Sequence, residues 1–138
     1  MWSTEHGVET SASPEAIWRL WADVPGWPAW NADLASAELT GSFEPGSAIR
    51  MTSKAGETVE LRLAEVVEPE SFVDEADLGT IVVRTTHRLE AADSGVRIVY
   101  RMDITGPEAD SVGTELRPEI SGDFPDVLVS LAASAESA

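Results

Sequence analysis

The sequence predicts an α+β fold: an antiparallel sheet of about seven strands packed with a long C-terminal helix, and two short helices after the first strand. Three observations carry this. A helix start signal and four of the five tryptophans crowd residues 13–31. Stretches of alternating apolar and polar residues then recur with turn signals about every ten residues, the pattern of an antiparallel meander. Residues 108–136 return to a helical spacing of apolar side chains.

Residues 2–11 (WSTEHGVETS) read as the first strand. Ser13 is a good N-cap and Pro14 occupies the first helical position, where its missing N–H costs nothing. Glu15 complements the helix dipole. Ile17, Leu20 and Trp21 follow at helical spacing and form one buried stripe, with Trp18 and Ala22 on the adjoining face. Pro25-Gly26 stops this helix, and Trp27-Pro28-Ala29-Trp30-Asn31 makes one more short turn.

Residues 34–40 and 47–53 read as strands joined by the turn Gly41–Gly46. Residues 57–67 alternate, with Val59, Leu61, Leu63 and Val67 on one face. Residues 71–76 and 80–90 follow. Asp93-Ser94-Gly95 turns the chain into residues 96–105. Period-two alternation places Ile81, Val83, Thr85, His87 and Leu89 on the inner face of one strand. Val96, Ile98, Tyr100, Met102 and Ile104 take the inner face of the next. A hairpin turn at 92–95 makes His87 and Tyr100 diagonal neighbours. Gly106-Pro107 ends the sheet. In the tail, Leu116, Ile120, Phe124, Val127 or Leu128, and Leu131 step by three or four. Pro118, Gly122 and Pro125 interrupt them, so a kink or break is expected near 118–125.

Composition narrows the function. The 138 residues suit one domain, 1–138, with 43% hydrophobic and 25% charged residues. Nine basic against twenty-five acidic residues give a net charge of −16. Such a surface repels phosphate backbones and anionic headgroups, so neither nucleic acid nor membrane insertion is expected. No apolar run reaches the ~20 residues of a membrane span, and no signal-peptide pattern opens the chain, so a cytoplasmic protein, monomer or weak homodimer, is the expectation. There is no cysteine, and there are two histidines. No metal cluster, phosphate loop or nucleophile motif is present, and no cofactor is expected.

Each tryptophan brings roughly 200 Å² of surface that needs an apolar home. Four together exceed what a core of this size requires and suggest a cavity wall. Trp21 is expected in the core, whereas Trp18, Trp27 and Trp30 are candidate ligand contacts. Met51, Ile120, Phe124 and Leu128 are candidates for the rest of the wall, or for plain packing. His87 has a side chain suited to proton transfer; the alternative is a buried neutral imidazole. Tyr100 either holds a ligand oxygen or fills the core. His6 shares a face with Trp2, Thr4 and Val8 and is expected to pack. Among carboxylates, Glu60, Glu90 and Asp103 fall on solvent faces. Glu65 falls inward by parity unless a bulge turns it out.

The segments SASPEAIWRLWADVPGWPAWN, GSFEPGS, THRLEAADSGVRIVYRMDITGP and ISGDFPDVLVSLAASA together resemble the polyketide cyclase/dehydrase and lipid-transport group of the START and birch-pollen-allergen-like (SRPBCC) superfamily. The resemblance implies a helix-grip fold: a curved sheet wrapped around the C-terminal helix, with an apolar cavity gated by the short helices and loops. It does not imply one activity. Three readings stand. The first is a carrier or sensor for a small hydrophobic ligand (lipid, polyketide or aromatic). The second is an aromatase/cyclase-type enzyme with His87 as acid/base and Tyr100 polarising a ketone. The third is a protein-interaction domain with a filled core. An inner face poor in convergent polar groups favours binding.

Overall fold

The computed structural model describes residues 2–93, 95–109 and 124–137, and of Trp2 and Phe124 the backbone only. Seven strands form one antiparallel sheet in the order β1-β7-β6-β5-β4-β3-β2. They are β1 (Trp2–Thr10), β2 (Leu34–Thr40), β3 (Ala48–Ser53), β4 (Thr58–Val67), β5 (Ser71–Asp77), β6 (Val82–Ala92) and β7 (Gly95–Thr105). Helix α1 (Pro14–Ala22) and a 3₁₀ helix, η1 (Val24–Ala29), lie between β1 and β2. Helix α2 (Phe124–Glu136) closes the chain and packs against β1, β7 and α1. This is the helix-grip arrangement. The expected break near 118–125 and the candidate Ile120 lie outside the described residues, as does the side chain of Phe124.

Local chemistry sets these elements. The Ser13 hydroxyl accepts from the Ala16 backbone N–H at 3.1 Å and starts α1, a cap of the kind that stabilises a helix by about 1 kcal/mol. Ala16, Ile17, Trp18 and Trp21 are buried. The buried stripe is therefore wider than expected, and Leu20 sits at its half-buried edge. Pro25 and Gly26 fall inside η1, which holds Trp27 and presents Trp30 at its end. At the far end of β7, Gly106 has φ +114°, and a Cβ there would sit 2.5 Å from the Thr80 carbonyl oxygen. Only glycine fits both demands, so the strand ends there.

Two registers differ from the sequence expectation. Ala92 pairs with Gly95, so the turn is two residues long and His87 lies directly opposite Tyr100, not diagonal to it. In β4 a bulge falls between Leu63 and Glu65. One extra residue reverses the side-chain faces beyond it. Glu65 accordingly turns outward and pairs with Arg84 at 2.8 Å. Val66 packs on the core, and Val67 is exposed rather than sharing the face of Leu61 and Leu63.

The outer face of the sheet carries a lattice of arginine–carboxylate pairs. Arg50 meets Glu60, Arg84 meets Glu65 and Glu75, and Arg88 meets Glu5 and Glu90. Exposed pairs of this kind add little each. Their main consequence is that the described arginines of the sheet point away from its inner face.

Candidate cavity site

Between the inner face of the sheet, η1 and α2 lies a cavity of about 290 Å³. The interior is therefore not completely filled by side chains. Its aromatic wall has two layers. Trp21 is fully buried at the centre and packs edge-on against Phe72, with ring centroids 5.2 Å apart. Trp18 stands behind it, edge-on to Trp21, Phe43 and Phe72. Trp18, a candidate ligand contact from its sequence, thus supports the wall without lining the cavity. Trp27 and Trp30 do line it, with centroids 6.2 Å apart. The Trp27 indole N–H donates to the Trp21 carbonyl at 3.0 Å and fixes η1 on α1. The Trp30 indole N–H is buried and has no hydrogen-bond partner.

The remaining walls come from five strands, β3 to β7, and α2. Met51 of β3 and Leu61 of β4 form one side, and Phe72 and Ala76 of β5 the back. Val59 and Leu78 also line the space and are 38% and 56% exposed, which marks where it opens to solvent. From α2 the lining residue is Val127. Leu128, the sequence candidate, is 1% exposed and packs in the core instead. One residue along a helix is a rotation of 100°, enough to exchange cavity for core.

The polar end of the cavity is built by neighbouring strands. Asp74 of β5, Thr85 and His87 of β6 and Tyr100 of β7 all line it and are all buried. Asp74 lies opposite Thr85, and Phe72 opposite His87. The His87 ring stacks on Phe72 with centroids 3.9 Å apart and planes 5° from parallel. Its Nδ1 lies 3.3 Å from the Phe72 carbonyl oxygen. A carbonyl only accepts, so Nδ1 carries the proton and Nε2 presents a lone pair to the cavity. Tyr100 crosses the His87 ring edge-on at 4.5 Å, and its hydroxyl accepts from the Trp21 indole N–H at 3.1 Å.

Burial sets the protonation of this cluster. Loss of solvation pushes the His87 imidazole down to about 3, opposed only weakly by the Phe72 carbonyl. His87 is therefore neutral near pH 7. The same loss of solvation, reinforced by the neighbouring Glu75 charge, pushes the Asp74 carboxyl up to about 7. Asp74 Oδ2 lies 3.9 Å from His87 Nε2. With a neutral imidazole this is no ion pair, and the separation is too long for a direct hydrogen bond. When Asp74 is ionised, two acceptors face one space.

Asp74 is the residue that sequence reasoning passed over. The signal was present: Phe72, Asp74 and Ala76 alternate in one short strand, which puts the carboxyl on the inner face by the rule that placed His87. It adds a carboxyl to the few polar groups, Thr85, His87 and Tyr100, that alternation placed on the inner face. His6, half-buried on β1, lies opposite Tyr100 in register and does not line the cavity. Among the described residues no cluster of three or more His, Asp or Glu is arranged to hold a metal ion, and no helix is long and apolar enough to cross a membrane.

Residues 1–136 match the family described as Polyketide cyclase / dehydrase and lipid transport. The chain belongs to this family. Its fold recurs in solved structures of low sequence identity. Protein MLL2253 from Mesorhizobium loti matches with a TM-score of 0.78 at 12% identity, over 99% of this chain and 98% of that one. Norcoclaurine synthase from Thalictrum flavum matches at 0.77 and 15%, over 99% and 87%. Ara h 8.0201 matches at 0.72 and 18%, over 99% of both chains. No functionally curated protein matches the chain in sequence. At these identities the structural likeness is one of fold, the Bet v 1-like helix grip, and the family is one in which hydrophobic-ligand binding is common.

Proposed function

We propose that this chain binds a small, largely apolar molecule in its internal cavity, as a carrier or sensor. The observation that carries the reading is the cavity itself: a space of about 290 Å³, open at one side and backed by Trp27, Trp30, Phe72 and Met51. Its volume sits at the lower edge of the roughly 300–1,000 Å³ of small-molecule sites, with the usual apolar lining and few polar groups. That favours a compact aromatic ligand over an extended acyl chain.

The test is to fill the space. Ala76 is buried and lines the cavity, so Ala76→Leu adds bulk into it. Titration with the neutral fluorophore N-phenylnaphthylamine is expected to show saturable binding by the parent and loss of binding by a folded Ala76→Leu variant. Equal binding by both would place the probe elsewhere. Native mass spectrometry of protein purified from its own source then names the resident molecule.

A second reading, proton transfer to or from the bound ligand, is favoured by one observation, the buried Asp74. An acid whose pKa is about 7 is suited to both giving and taking a proton at neutral pH. In this reading Asp74 is the acid/base, Thr85 and Tyr100 position the ligand, and His87 accepts a hydrogen bond. Turnover lost in Asp74→Asn with binding retained would support it.

A further inference from the structure

Among the described residues, the donors that line the cavity, including the hydroxyls of Thr85 and Tyr100 and the Trp30 indole N–H, are all neutral, and none is a cation. Asp74 is 4% exposed, and among the described residues its one polar approach is to His87. A buried carboxylate is stable only when a cation or a set of donors meets it. None of the described lysines or arginines lines the cavity. The imidazole beside it presents a lone pair, since its N–H is already given to the Phe72 carbonyl. Oδ2 of Asp74 and Nε2 of His87 are 3.9 Å apart. A single nitrogen seated above both can stand at hydrogen-bond distance from each.

The surroundings suit a positive charge. Trp27, Trp30, Phe72 and Tyr100 bound the same space, and the face of an aromatic ring attracts a cation electrostatically. The chain carries a net charge of −16, which draws cations toward it and repels anions.

We infer that the cavity selects aromatic ligands bearing a protonated amine, whose N–H groups bridge Asp74 and His87, and that it discriminates against carboxylates. This rests on the cavity-binding reading above and names its ligand class. The amine takes the place otherwise held by a proton on Asp74. A ligand with a carboxylate at that end would set two acceptors and a like charge against it.

The experiment uses three probes of one shape: naphthylmethylamine, naphthylmethanol and naphthoic acid. Each is titrated calorimetrically into the full chain at about pH 8. The amine is expected to bind about tenfold or more tighter than the alcohol, and the acid more weakly than the alcohol. Asp74→Asn is expected to abolish the amine's advantage while the alcohol still binds. Asp74→Ala provides the same readout should the Asn variant fail to fold. Equal affinity of amine and alcohol in the parent overturns the inference and leaves the cavity reading standing. An advantage that survives removal of the carboxylate overturns it as well. Binding of none of the three overturns both readings together.

Discussion

Replacing Asp74 by Asn should make the protein more stable above neutral pH, and the size of the gain follows from burial. The carboxyl has an ordinary pKa of 3.8 when unfolded and about 7 when folded. Between these values the folded chain holds a proton that the unfolded chain has released. Stability therefore falls as pH rises, by about 1.4 kcal/mol per pH unit. The loss begins near pH 4 and is complete just above pH 7, amounting to about 4 kcal/mol. Asn resembles the neutral acid in shape and does not titrate. The difference in unfolding free energy between variant and parent is thus expected to be small at about pH 4 and to climb to several kcal/mol in favour of the variant at about pH 8. His87 titrates with the opposite sign. Its pKa falls from 6.5 to about 3 on folding, so it costs stability as pH drops from 6.5, and in the parent it cancels the Asp74 slope over the shared window. Taking the difference between the two proteins removes His87 and the surface carboxylates alike. Urea unfolding followed by tryptophan fluorescence across pH 4–8 gives the curves. Parallel curves for parent and variant would show that Asp74 is ionised throughout, and the desolvation argument would be wrong.

Three further outcomes test the wall. Tyr100→Phe strands the Trp21 indole N–H in the core, and the expected loss is about 1–3 kcal/mol in urea unfolding. Trp30→Phe, which removes an N–H that has no partner, is expected to be near neutral, whereas Trp27→Phe breaks the bond to the Trp21 carbonyl and is expected to cost about 1 kcal/mol more than its neighbour. Equal effects at the two positions would mean that Trp30 finds a partner in solution. On α2, Leu128→Ala is expected to destabilise by about 2–5 kcal/mol without changing probe affinity, while Val127→Ala is expected to change affinity for N-phenylnaphthylamine with a smaller cost in stability.

What the sequence made legible was whatever depends on local periodicity. Ser13-Pro14 starts a helix because capping is a contact three residues long, and the inner faces of β6 and β7 follow from alternation alone. The pairing of His87 with Tyr100 was within reach too, since a two-residue turn at Asp93-Ser94 fixes it arithmetically. The residues that went astray depend on longer-range facts. Glu65 turns outward because one residue of β4 is left unpaired, a choice made by the hydrogen bonding of β3 and β5 on either side. Trp18 and Leu128 are apolar residues on the correct elements, but whether an apolar side chain meets a cavity or another side chain is decided by what packs opposite. Asp74 is a different case: its parity was plain, and its polarity argued against the interior. A polar residue on a buried parity position is the informative exception, because hydrophobic patterning alone does not explain it.

That exception bears on why the site is there at all. The fold has no structural use for Asp74: it caps no helix and joins no described ion pair, and an apolar residue of its size would pack against Phe72 and Ala76 at lower cost. About 4 kcal/mol forgone above neutral pH is a large part of the 5–15 kcal/mol that holds a typical domain together. The surplus of tryptophan in α1 and η1 supplies apolar burial on the other side of the same balance. On the amine-selection proposal, stability and ligand choice are set against each other at one carboxyl. Asp74→Asn is expected to gain in unfolding free energy and to lose the preference for amine over alcohol together. A variant that gained stability and kept that preference would separate the two, and would leave the buried acid without a function in this cavity.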